Sequence, residues 1–158
     1  MLHGSINHVS ITVSDLPAAM EFLGPLLEFL GYAVDGSGST KLRVNVSPIT
    51  GGAVNVWQAS DEHRDAPFEV YAPGLHHVAF NVASRQMVDR LGELVPGWGG
   101  RVTDPPGEYP FTDRGCYYAV YFRGPDDLKF ECVYMSELER LHQEAGSLGR
   151  RLWPHASG

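Results

Sequence analysis

Two stretches of the chain alternate between apolar and polar residues, and they carry nearly the same pattern. In Ile6-Asn7-His8-Val9-Ser10-Ile11-Thr12-Val13-Ser14, the residues Val9, Ile11 and Val13 point one way. His8, Ser10 and Thr12 point the other. In Leu75-His76-His77-Val78-Ala79-Phe80-Asn81-Val82-Ala83, His77, Ala79 and Asn81 share one face and the apolar residues share the opposite one. Period-two alternation marks strands that bury one side. A helical pattern follows each. Ser14 or Asp15 caps the first helix, with Pro17 in its first turn and Phe22, Leu23, Leu26, Leu27 and Leu30 as its stripe. Pro25 falls inside that stripe, so a kink or break is expected there, and Gly31 ends the helix. Ser84 caps the second helix, whose stripe is Met87, Val88, Leu91, Leu94 and Val95.

Three strands are expected after each helix: 32–35, 41–47 and 53–58, then 101–104, 117–123 and 128–134. The repeated strand at 75–82 restarts the plan after a period of about 70 residues. The chain therefore reads as α+β, built from two tandem β-α-β-β-β modules that form a curved mixed sheet around a cavity. Residues 1–60 are the first module, 61–74 a polar linker with Pro67 and Pro73, and 75–136 the second module. Residues 137–158 carry an extra C-terminal helix, at 137–147, and a tail. The ends of the copies also correspond, Asn55-Val56-Trp57-Gln58 with Glu131-Cys132-Val133-Tyr134. A histidine at each start and a carboxylate at one end suggest a metal held between two halves.

Composition narrows the class. An apolar fraction of 43% over 158 residues supports a real core. The net charge of -7 argues against nucleic acid or an anionic membrane as the main partner. No apolar run reaches the length of a membrane span, and Met1-Leu2-His3-Gly4 leads straight into a strand. Two cysteines, Cys116 and Cys132, fit free thiols and a cytoplasmic location.

The segments from His8 to Leu16, His77 to Val82 and Tyr121 to Glu131 resemble the vicinal oxygen chelate superfamily. That superfamily includes glyoxalase I, extradiol dioxygenases, fosfomycin-resistance transferases and bleomycin-binding proteins. The resemblance spans roughly residues 6–135. It departs from the usual pattern at Gly124 and Asp127, which lie in a turn. The resemblance implies metal positions at His8, Asn55, His77 and Glu131. Asn55 is a weak donor, which leaves His8, His77 and Glu131 as ligands for Fe, Mn, Zn or Ni. Three protein ligands leave coordination positions for substrate. Strand parity favours His77 over His76, which would point at the helices or the module edge.

Asn55 cannot act as a base, so a two-carboxylate proton shuttle of the glyoxalase I type is not expected. The resemblance points instead to dioxygenase-like or lyase-like chemistry on a small oxygen-chelating substrate. The alternatives are a fosfomycin-type thiol or epoxide transferase and a non-catalytic protein that sequesters an antibiotic. Tyr121, ten residues before Glu131, sits where the dioxygenases and transferases place a substrate-contacting tyrosine, and it is the first catalytic candidate. His63, in the linker, is either a second acid–base group or an exposed histidine. Tyr117 shares the cavity face of Tyr121. Trp57 shares that of Asn55 and would wall the pocket. Arg43 is either a partner for an anionic substrate group or a solvated edge arginine. The Pro- and aromatic-rich loop at 105–115 is placed as a lid. A homodimer is expected where sheet edges need cover.

Overall fold

The computed structural model describes residues 6–110 and 116–136. The expected helix at 137–147 and the tail lie outside them. Seven strands and two helices follow the repeat. The first module holds β1 (His8–Val13), α1 (Leu16–Phe29), β2 (Leu42–Val46) and β3 (Ala53–Gln58). The second holds β4 (Val78–Asn81), α2 (Arg85–Leu94), β5 (Arg101–Glu108), β6 (Tyr117–Arg123) and β7 (Lys129–Met135).

The strands hydrogen-bond as two sheets, one per module, in the orders β1-β3-β2 and β4-β7-β6-β5. β1 runs parallel to β3 and β4 parallel to β7, while the other pairs are antiparallel. The register repeats as well as the order. Ser10 faces Asn55 in the first sheet as Ala79 faces Glu131 in the second. Each histidine lies two residues before the strand partner of its module's terminal Asn or Glu.

Four local outcomes depart from the sequence expectations. α1 runs unbroken through Pro25. Leu23, Leu26 and Leu27, each at most 1% exposed, clamp the helix on both sides of the proline and offset the roughly 3 kcal/mol of a missing backbone bond. The strand expected at 32–35 shrinks to one bridge, Ala33 to Val46. Side chains replace the rest of that ladder: Asp35 Oδ2 accepts from Val44 N at 3.2 Å, and Asn45 Oδ1 accepts from Asp35 N at 3.0 Å. The strand expected over 75–82 starts only at Val78, so parity does not govern His76 and His77. The expected lid is partly strand, because β5 continues through Pro105 and Pro106. It is an edge strand with two register shifts, where prolines cost no shared ladder bond.

Other expectations hold. Asp15 caps α1 by accepting from Ala18 N, and Ser84 caps α2 by accepting from Met87 N. Gly31 closes α1 at φ +82°, a left-handed conformation open to glycine. Cys116 and Cys132 are free thiols. No helix among the described residues is long and apolar enough to cross a membrane.

The modules share one core on their helical sides. It joins Leu16, Leu23, Leu26 and Leu27 of α1 to Val88 and Leu91 of α2 and to Phe122, Phe130 and Cys132 of the second sheet. Phe22 is the hinge pin. Its ring lies 6.1 Å from both Phe122 and Phe130. Gly124 makes room for it, because a Cβ there would come within 2.6 Å of the Phe22 ring. Ser14 N donates to Asp126 Oδ2 at 2.8 Å and ties the first strand–helix turn to the β6–β7 turn.

Phe22→Ala is expected to cost about 3–5 kcal/mol by urea denaturation, since it empties the inter-module core. Gly124→Ala is expected to cost about 1–3 kcal/mol by overpacking the same ring. A loss below about 0.5 kcal/mol for both would show that the modules do not depend on this contact.

Candidate metal centre

β7 is the inner strand that organises the site. β4 brings His77 to one side of it, and β6 brings Tyr117 and Tyr121 to the other. Glu131, on β7, is only 2% exposed. A carboxylate that deeply placed needs partners, and it has them. His77 Nε2 lies 3.0 Å from Oε2, and the Tyr117 hydroxyl donates to Oε1 at 2.5 Å. The His77 and His76 Nδ1 atoms lie 2.7 Å apart. With His77 Nε2 donating to Glu131, its Nδ1 accepts from His76, so the neighbour sets the tautomer. His76 therefore stands beside His77 in the pocket and does not point at the helices.

The pocket in front of this pair holds about 350 Å3, and all its walls come from the second module. Tyr121 forms part of its wall, with its ring edge-on to His77 at 6.3 Å and to Tyr109 at 5.2 Å. The Lys129 ammonium sits 4.9 Å above the Tyr121 ring. Burial first, and then the hydrogen bond to Glu131, pushes the Tyr117 phenol up to about 12. The same two causes raise Tyr121. Both phenols are neutral donors at ordinary pH. Desolvation, then the neighbouring His77 imidazole and the cations Lys129 and Arg123, hold His76 below the usual histidine range.

The first module presents its matching residues elsewhere. His8 is exposed and bonds Asn7 Oδ1 at 2.8 Å. Among the described residues no three His, Cys, Asp or Glu side chains gather as a metal site, so His8 does not join His77 and Glu131 within this chain. Asn55 and Trp57 share the face of His8, as expected. The Asn55 Oδ1 atom is buried without a hydrogen-bond partner among the described residues, and Trp57 is 44% exposed.

Arg43 does not share that face. It pairs across from Val56 while Val44 pairs across from Asn55, so it lies on the opposite side of the sheet. There its Nη1 donates to the Asp35 carbonyl at 3.1 Å. His63 stands apart too. The linker carries it to a groove at the module junction beside Thr12, Ser14 and Asp126, with Nδ1 3.0 Å from Ser60 Oγ. The sequence reading missed Lys129, Asp104 and Tyr109. Lys129 was legible, since it has the parity of Glu131 two positions on. Asp104 and Tyr109 are positioned by the bulged edge strand and its end, which no periodicity announces.

This arrangement of two repeated strand–helix–sheet units, with a histidine just before one strand and a glutamate on its parallel neighbour, defines a class. The family model of the Glyoxalase/Bleomycin resistance protein/Dioxygenase superfamily matches residues 5–132, and the chain belongs to that superfamily. It is 29% identical over 128 residues to the uncharacterized protein YqjT of Bacillus subtilis, covering 81% of this chain and 97% of that one. Among solved structures, a provisionally assigned glyoxalase from Bacillus halodurans superposes with a TM-score of 0.71 at 29% identity, covering 84% of this chain and 96% of its own. The fosfomycin resistance protein FosX of Listeria monocytogenes shares the fold, with a TM-score of 0.61 at 21% identity over 87% of this chain and 98% of its own.

Raised phenol pKa values fix the sign of one pH effect. Between about 10 and 12, the folded state keeps protons on Tyr117 and Tyr121 that the unfolded state has lost. Stability is therefore expected to be intact below pH 10 and to fall as pH rises through that window. Urea midpoints of Tyr117→Phe and Tyr121→Phe should fall less steeply over the same range. An unchanged slope in both variants would contradict this environment.

Proposed function

We propose that the protein is a divalent-metal-dependent enzyme acting on a small molecule that chelates through two neighbouring oxygens. The proposed chemistry is dioxygenase-like or lyase-like, and the site is completed between two copies of the chain. The observation that carries this reading is the split donor set. His77 and Glu131 stand 3.0 Å apart, close enough for one ion to sit between them at ordinary coordination distances of about 2.0–2.2 Å. His8 and the orphaned Asn55 oxygen occupy the matching register on a half-sheet whose Val44, Val46 and Trp57 are exposed.

The same face exposes Val44 and Val46, each 41% accessible, beside Trp57. A second copy laid over the His77 pocket would bury these residues, supply His8 as third ligand and satisfy Asn55. The residues present fit such a metal. Two nitrogens and one carboxylate oxygen are borderline donors for Fe, Mn, Zn or Ni. When bound, the ion supplies Lewis acidity and a template for two substrate oxygens.

The chain's own residues do the remainder. His76 fixes the His77 ring, and Tyr117 holds the Glu131 carboxylate in a single orientation. Tyr121, kept protonated, is a donor for a substrate oxygen. Asn55 can accept or donate a hydrogen bond but cannot take a proton. Only one of the four metal positions is therefore a carboxylate, which weighs against a glyoxalase I reaction.

Elemental analysis tests the reading. His77→Ala and Glu131→Gln should each abolish metal uptake, and His8→Ala should weaken it at least tenfold. Mixing His8→Ala with His77→Ala chains should restore part of it, because a heterodimer regains one intact site. Wild-type stoichiometry in His8→Ala, or a mixture with no recovery, would overturn the shared site. A wild type that takes up none of the four metals would favour the sequestering alternative.

A further inference from the structure

The second sheet departs from the first in one further way. On the first half-sheet, Val46 pairs with Ala53, both neutral and small. The matching pair on the second is Arg123 with Lys129, on the face of Tyr121 and Glu131. Like charges placed directly opposite across antiparallel strands are destabilising. Arg123 is compensated: its Nη1 donates to the Asp127 carbonyl at 2.7 Å and lies 3.5 Å from the Asp127 carboxylate. Lys129 forms no ion pair among the described residues. It is part-buried and its ammonium lies over the Tyr121 ring, on the wall of the His77 pocket.

The contact with the Tyr121 ring holds the ammonium at the pocket wall without neutralising its charge. The lysine faces another cation across the ladder, in a pocket where the substrate is proposed to sit. The chain as a whole carries a charge of -7, so this local positive edge runs against the general field. Glu131 forms no ion pair with it among the described residues; its two oxygens are bonded by His77 and Tyr117. The other acid of that pocket, Asp104, forms no ion pair with Lys129 either.

We infer that Lys129 is a specificity-determining residue, and that the substrate carries an anionic group, such as a carboxylate, which binds the Lys129 ammonium. The remaining oxygens of that substrate then reach toward His77 and Glu131. The inference rests on the proposed function for the position of those oxygens. The cation itself is independent of any metal.

The test compares 3,4-dihydroxybenzoate with 3,4-dihydroxybenzamide, which keeps the diol and the shape but removes the charge. Binding to the full-length protein is read by calorimetry, with metal content measured on the same samples. The acid should bind at least tenfold more tightly than the amide. Lys129→Met should reduce the ratio to about one without changing amide affinity or metal content. Lys129→Arg should keep the preference, which separates loss of charge from loss of fold. Raising salt to about 0.5 M should weaken the acid and leave the amide unchanged. Equal binding of acid and amide, absence of saturable acid binding, or a preference that survives in Lys129→Met would overturn the inference. A wild type without metal would sink the metal reading and leave the acid–amide comparison decisive for Lys129.

Discussion

The buried carboxylate of Glu131 is the constraint around which the second module is arranged. An isolated charge at 2% exposure is unaffordable, so the chain must deliver donors to both oxygens. It does so with sheet order. β7 lies between β4 and β6, so one neighbour supplies the histidine and the other the tyrosines. A parallel pairing on one side and an antiparallel one on the other require the connection through α2 and the return through β5. The apolar face of the same strand, Phe130 and Cys132, then packs into the core that α1 and α2 share. Moving Glu131 by one residue would put the carboxylate among those rings and the phenylalanine in the pocket.

Duplication explains the frame, and the differences between the copies explain the site. Asn55 stands where the second module has Glu131, and Val44 where it has Tyr121. Ala53 and Val46 stand where it has Lys129 and Arg123. The second half-sheet thus gathers the charged and phenolic groups. The first keeps His8, the small hydroxyls of Ser10 and Thr12, a neutral amide and the apolar Val44, Val46 and Trp57. Such a surface satisfies neither Asn55 nor exposed Trp57 by itself. The two faces are complementary in kind, one charged and recessed, the other apolar and bearing a single imidazole. That complementarity supports pairing between copies more than duplication of two equal sites.

Much of this was legible in the sequence because the signal was periodic. Alternation from His8 to Val13 and the stripe of α1 marked both elements, and the repeat put His77 at the start of a strand beside that of Glu131. What escaped depended on tertiary context. Pro25 stays in a helix because the buried leucines around it hold the backbone. Arg43 sits on the core side because β2 pairs Val44 with Asn55, a register that residue pattern alone does not set. His76 reaches the pocket because the ladder begins after it. The half-sheets carry the expected polar faces, yet the pocket takes its walls from one module only. The reason is that the modules meet through Phe22 and the helices, on their apolar sides.

This back-to-back packing limits what the chain can do as a monomer. Phe22 fills the space left by Gly124 and locks the modules with their helical faces inward. Bringing His8 to His77 within one chain would require breaking that core. Bringing it from a second copy requires only surface association of a face that is already apolar. The energetic asymmetry is large, since core rings cost several kcal/mol each to expose. A three-ligand centre made from His8, His77 and Glu131 is therefore reached far more cheaply between chains than within one. In that arrangement the chemistry depends on dimer formation, and the neutral Asn55 stays beside a centre with a single carboxylate.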